Sequence, residues 1–154
     1  MRRKDREVTD FSKITEIISS CDCCRLGFVD GDEAYIVPMN FGYEIKDEQI
    51  YLYFHCAKEG RKIDLLPKQN KVSFEMDTKH RLEGGPLGCD YTCFYQSVMG
   101  TGKLEIVEGD EKTFGLKKIM EHYTGRTEWD FDNKYFNAIY ILKLTVNALS
   151  CKEH

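Results

Sequence analysis

Nothing in this chain is apolar for long enough to cross a bilayer. The late run Ala138-Ile-Tyr-Ile-Leu142 is cut by Lys143, far short of the roughly 20 residues a spanning helix needs. The start, Met1-Arg-Arg-Lys-Asp-Arg6, is charged with no apolar run behind it. It reads as neither signal peptide nor anchor, so a cytoplasmic protein with no membrane partner is expected. Excess positive charge is also missing. A net charge of −4 argues against general nucleic-acid binding. Paired zinc spacing is absent too: Cys21-Asp-Cys-Cys24 and Cys89-x-x-x-Cys93 do not make a CxxC…CxxC set, and no metal is expected. Seven cysteines, an odd number, exclude a simple disulfide framework and point to reduced, mostly buried thiols. There is no GxSxG, HExxH, P-loop or GxGxxG after a strand, so the familiar hydrolase, zinc-protease, nucleotide and dinucleotide signatures are out.

Proline is scarce, and its three positions punctuate the chain. Pro38 sits in the β-rich run Ala34 to Tyr43, which predicts a bulge or an edge strand there. Pro67 stops a helix that begins near Glu59, with Ile63, Leu65 and Leu66 turned inward. Pro86 falls in 77–92, which reads as a long irregular loop.

What remains is rich in strand formers, with nine Phe and nine Tyr. Asp10 or Thr9 caps a helix whose face is Phe11, Ile14, Ile17, Ile18 and Cys21. Cys24–Val29, ending at Asp30-Gly31, then Ala34–Tyr43 and Ile50–Phe54 read as three strands of an antiparallel meander. Lys71–Met76 alternates as a strand, and Cys93–Val107 is one long strand or two, bent near Gly100 and Gly102. A helix capped by Asp110 presents Leu116, Ile119, Met120 and Tyr123, and Gly125 suits its end. Trp129 and its acidic neighbours read as irregular, and Ala138–Val146 as the last strand. One domain over 1–154 is expected, mainly β with flanking helices, and closing the sheet into a barrel would remove exposed edges.

The stretch Tyr51 to Leu66 holds the candidate site. A strand ends at His55, the chain turns at Gly60, and Arg61-Lys62 open a helix. Cations at a helix start oppose the dipole unless an anion is present, so this junction predicts an anion site, most simply for a phosphate. His55 is a candidate proton or hydrogen-bond donor, and so the candidate catalytic residue.

Several motifs in order resemble the pyridoxamine 5′-phosphate oxidase-like FMN-binding split-barrel family, and within it the nitroimidazole-resistance branch. They are Met1–Arg6, Tyr35-Ile-Val-Pro-Met-Asn-Phe-Gly-Tyr43, Phe54-His-Cys-Ala-Lys-Glu-Gly-Arg-Lys62, Tyr95-Gln-Ser-Val-Met-Gly-Thr-Gly102 and the helix from Glu111 to Tyr123. The resemblance implies a six-stranded antiparallel split β-barrel and a homodimer with FMN at the subunit interface. It implies that Val37, Pro38, Met39, Asn40 and Phe41 edge the flavin ring, and that Phe54, His55, Cys56 and Ala57 border it. Gly60, Arg61 and Lys62 would hold its phosphate, and Gln96 and Ser97 would approach from a later strand. Gln96 stands where the family often has Arg, and Cys56 where Ser is common. The function implied is an FMN-dependent oxidoreductase passing electrons from NAD(P)H to a small acceptor such as a nitroimidazole. The alternative is a dimer that holds FMN or haem without catalysis.

Overall fold

A computed structural model describes residues 3–154; Met1 and Arg2 of the first motif lie outside the described residues. The elements in chain order are β1 (Glu7–Val8), α1 (Phe11–Ser20), β2 (Cys24–Asp30), β3 (Glu33–Met39), β4 (Phe41–Lys46) and β5 (Gln49–Ala57). There follow α2 (Arg61–Leu65), β6 (Lys71–Glu83), β7 (Thr92–Val107), α3 (Gly109–Thr124), α4 (Asn133–Ala138) and β8 (Ile139–Glu153). Every strand pairing is antiparallel. The strands lie in the order β3-β2-β6-β7-β8-β5-β4, with β1 added to β8. This is the expected mainly β class with flanking helices, though the described residues hold eight strands rather than six.

That order forces closure. The end strands β3 and β4 are joined by Asn40 alone. Seven strands laid flat would put the two ends roughly 29 Å apart at about 4.8 Å per strand, whereas one residue spans about 3.5 Å. The sheet must therefore curl until its ends meet. The expected three-strand meander is corrected accordingly. β2–β3 and β4–β5 are hairpins, but the run Ala34 to Tyr43 breaks at Asn40, and its halves serve opposite ends of the sheet. Pro38 sits on the end strand β3, where a missing N–H costs no ladder bond on the open side.

The curled sheet encloses Leu26, Phe41, Leu52, Phe54, Met76, Leu104 and Leu144, all essentially inaccessible. α1 covers this core with Ile14, Ile17 and Ile18, and its first turn is capped by the Asp10 carboxylate accepting from the Lys13 N–H at 2.7 Å. On the outer face α3 covers Tyr53 and Ile141. Its buried stripe is Lys112, Gly115 and Ile119, with Leu116 packed beside it; of the apolar face that spacing predicts, Ile119 and Leu116 face the core and Tyr123 is exposed. Gly42 makes α3's close approach possible, since a Cβ there would stand 2.3 Å from the Ile119 nitrogen.

Two irregular stretches prove regular. β6 runs on to Glu83, so the loop expected over 77–92 shrinks to 84–91 with one 3-10 turn at Gly88–Asp90. α4 forms where only irregular chain was expected, with Asp132 accepting from the Lys134 N–H at 2.8 Å. No helix among the described residues is long and apolar enough to cross a membrane.

Candidate functional site

The site begins with the alternation of β5. Ile50, Leu52, Phe54 and Cys56 point into the core, while His55 and Ala57 point outward and are exposed. β4 pairs with β5 only as far as Phe41 opposite Phe54. Beyond that point β5 continues for three residues with β8 on one side and, among the described residues, no strand on the other. β3 meanwhile is bonded to β2 alone. The two free edges part at Asn40 and leave a wedge.

This wedge is a cavity of about 380 Å³, lined by Val37, Pro38, Met39, Asn40, His55, Cys56, Ala57, Lys62, Ala138 and Ile139. Eight of the predicted site residues are thus brought together. Phe41 and Phe54 face each other across the β4–β5 ladder, both at 0% exposure, and support the cavity from the core without lining it. Gly60 turns the chain into α2 with φ of 120°, a conformation that favours glycine.

The basic pair divides. Lys62 lines the cavity. Arg61 faces away from it: its guanidinium is bonded to Asp30 at the end of β2, lies 3.9 Å from Glu33, and stacks 5.0 Å from the Tyr35 ring centre. The Asp30 carboxylate raises the Arg61 pKa further. α2 is also only five residues long, so its dipole is small and the cation that counts is the Lys62 side chain. Cys56 adds no nucleophile, because burial pushes its thiol pKa up against the opposing pull of Lys62. The other inward thiols behave alike, with burial raising Cys21 to about 12 and Cys151 to about 11.

Gln96 and Ser97 do not line the cavity. They pair with Glu153 and Lys152 near the end of β8, whereas the cavity lies at its beginning, Ile139. Gln96 is buried, donates to Glu153 Oε1 at 2.9 Å, and leaves its own amide oxygen without a partner. The wall made by Ala138 and Ile139 escaped sequence reasoning. Its only signal is that the last strand starts there. A second hollow, about 460 Å³, is lined by Tyr43, Glu44, Lys118, Glu121 and His122. Its lysine is already paired with Glu121, and its histidine contacts the Cys21 carbonyl, so neither of these groups is turned to a ligand. Among the described residues no three His, Cys, Asp or Glu side chains gather as a metal site.

The family model described as pyridoxamine 5′-phosphate oxidase matches residues 10–153. A solved structure from Bacteroides thetaiotaomicron VPI-5482, described as a candidate 5-nitroimidazole antibiotic resistance protein, is 33% identical. It aligns over 96% of this chain and 86% of its own, with a TM-score of 0.81. An FAD- and haem-binding protein from Mycobacterium smegmatis shares the fold at 16% identity, over 96% of this chain and 73% of its own, with a TM-score of 0.82. A FAD-binding protein from Mesorhizobium loti does so at 17% identity, over 97% of each chain, with a TM-score of 0.67. No curated protein matches. The family and branch resemblance carried by the motifs is borne out.

Proposed function

This chain belongs to the pyridoxamine 5′-phosphate oxidase family, and from that premise we propose that it is an FMN-dependent oxidoreductase. It takes electrons from NAD(P)H and passes them to a small flat acceptor. The observation that carries this reading is the convergence, in one cavity, of an unpaired strand edge, an exposed imidazole and a lysine.

The residues present fit the cofactor. A volume near 380 Å³ falls within the ~300–1,000 Å³ of ligand sites. When bound, FMN supplies the redox chemistry itself. The chain's own groups do the rest. The free edge of β3 offers the Pro38 carbonyl, and the chain just beyond it the backbone groups of Asn40, to the rim of a planar heterocycle, while Val37 and Met39, whose backbone faces β2, line the cavity beside them. Lys62 supplies positive charge to a phosphate, and Gly60 makes the turn that places it. His55, directed outward at the cavity, is placed to give a proton to a reduced acceptor. Cys56 closes the inner side as an unionised, apolar group. Gln96 and Ser97 have no part in the site within one subunit.

The relative described as a 5-nitroimidazole resistance protein supports a nitroaromatic as acceptor. A homodimer fits the apolar groove of about 510 Å³ on the outer face of β2, β3, β6 and β7, where Ile36 and Met99 lie exposed. The cytoplasm, with its supply of NAD(P)H, suits this activity.

Absorbance of the purified protein tests the reading. A flavin spectrum that NAD(P)H bleaches without oxygen is the expected outcome. A colourless protein that takes up no added FMN overturns it. Exposure of His55 favours one second reading, haem ligated by that imidazole, which a Soret band would select.

A further inference from the structure

Lys112 is the buried lysine of this protein, at 3% exposure among the described residues. It belongs to the first turns of α3 (Gly109–Thr124), where the helix dipole disfavours a cation. Its ammonium donates to the Ile139 carbonyl at 2.7 Å and lies 4.5 Å from the Phe136 ring centre. Neither partner carries a negative charge. The surface lysines Lys13, Lys79, Lys103, Lys117, Lys118 and Lys143 each face a carboxylate. Lys112 faces none among the described residues. Its neighbour Glu111, which could have served, is bonded to Lys143 instead.

A buried cation without a counter-charge is expensive. Its position says what offsets that cost. Ile139, the residue it holds by the carbonyl, is a wall of the cavity that also contains His55 and Lys62. Ile139 stands opposite Ala57 in the β5–β8 ladder. The charge therefore lies one residue behind the site.

We propose that Lys112 is a positioning residue of this cavity that also selects for an anionic occupant. Through the Ile139 carbonyl it fixes the junction between α4 and β8, and its unmatched charge lowers the energy of negative charge in front of that wall. This rests on the flavin reading: reduced flavin bears the extra negative charge that the lysine favours.

Two variants separate the halves of the proposal. Lys112→Gln keeps a donor for the carbonyl and loses the charge. Lys112→Met loses both. In Lys112→Gln, oxidised FMN should bind a few-fold more weakly. Reduced FMN should lose a further tenfold, moving the midpoint potential about 30 mV negative for two electrons. Lys112→Arg should restore the potential. A potential in Lys112→Gln equal to that of the unaltered protein overturns charge selection. In the protein without flavin, Lys112→Met should speed amide hydrogen exchange at Ile139 to Ile141 by tenfold or more, and unchanged exchange overturns the positioning role. Wild-type protein that binds no flavin at all defeats the flavin reading, while the exchange measurement still decides the positioning role.

Discussion

Tyr53 and His55 stand two residues apart on the same outward face of β5, and their surroundings are opposite. Tyr53 is 1% exposed, packed edge-on against Phe114 with 5.7 Å between ring centres. Its ring fills the space where Gly115 has no side chain, since a Cβ there would stand 2.7 Å from Cδ1. His55 is open to the cavity. The strand gives both residues the same orientation, and the difference is made by what lies above. α3 packs on Tyr53, whereas His55 faces the cavity that it shares with the end of β3. The candidate site is therefore the uncovered end of a strand whose other end is core.

The sharpest way to break this comparison is to truncate both side chains. Tyr53→Ala should destabilise the protein by about 3–5 kcal/mol, as for large aromatic deletions in cores, with a matching fall in the denaturant midpoint. His55→Ala should leave stability within ~0.5 kcal/mol while altering the spectrum of bound flavin and slowing turnover of the acceptor. Equal loss of stability in both variants would mean that His55 is a core residue after all. Next in size is the division of the basic pair. Lys62→Ala should weaken FMN binding by about tenfold or more, the worth of a charge-assisted bond of ~1.5–3 kcal/mol. Arg61→Ala should weaken it far less, because that guanidinium is already held by Asp30. Flavin titration distinguishes them, and a larger loss in Arg61→Ala reverses the assignment.

The smallest effect concerns the covered region itself. His122, near the end of α3, packs on Phe41 with 4.5 Å between ring centres and contacts the Cys21 carbonyl through Nε2 at 2.8 Å. Burial lowers its pKa, opposed in part by that carbonyl and by Asp22. The unfolded chain, with an ordinary value of about 6.5, takes up the proton first as pH falls. The stability linked to neutral His122 is thus complete above about pH 6.5 and is lost as pH falls through the lowered folded value. Urea midpoints measured from pH 7.5 to 5 should decline less steeply in His122→Gln than in the unaltered protein. Parallel curves would remove His122 from the account.

Much of the scaffold was legible because its signals are local. Asp10 caps α1 from within its own turn, Asp30-Gly31 ends β2, and Gly125 ends α3 in the left-handed region at φ of 70°. The turn between β4 and β5 carries Asp47 and Glu48, both at positive φ, so it adopts the tight two-residue form without the glycine that usually announces it. The outer half of β6 was illegible for a physical reason. Lys79 to Glu83 are exposed throughout, so no alternation of polarity is imposed on them, and periodicity is blind to a strand that water touches on both faces. α4 is too short to show a helical period. In the site, the grouping of Val37–Asn40 with His55–Ala57 was readable as motif order. The capture of Arg61 by Asp30 was not, because it joins positions 31 residues apart. The distance of Gln96 from the cavity likewise depends on strand order, which residue spacing does not encode.

The single residue between β3 and β4 has a consequence for how firmly the cavity keeps its width. Most binding clefts are bounded by packed surfaces that separate when the protein breathes. Here the corner of the wedge is a covalent tether, Asn40, whose reach is fixed by bond lengths. Heat or denaturant can loosen the ladder on either side, yet the two strands cannot drift apart at that point until one of them leaves the sheet. The aperture there is a property of the chain's connectivity, held constant up to the unfolding of the barrel.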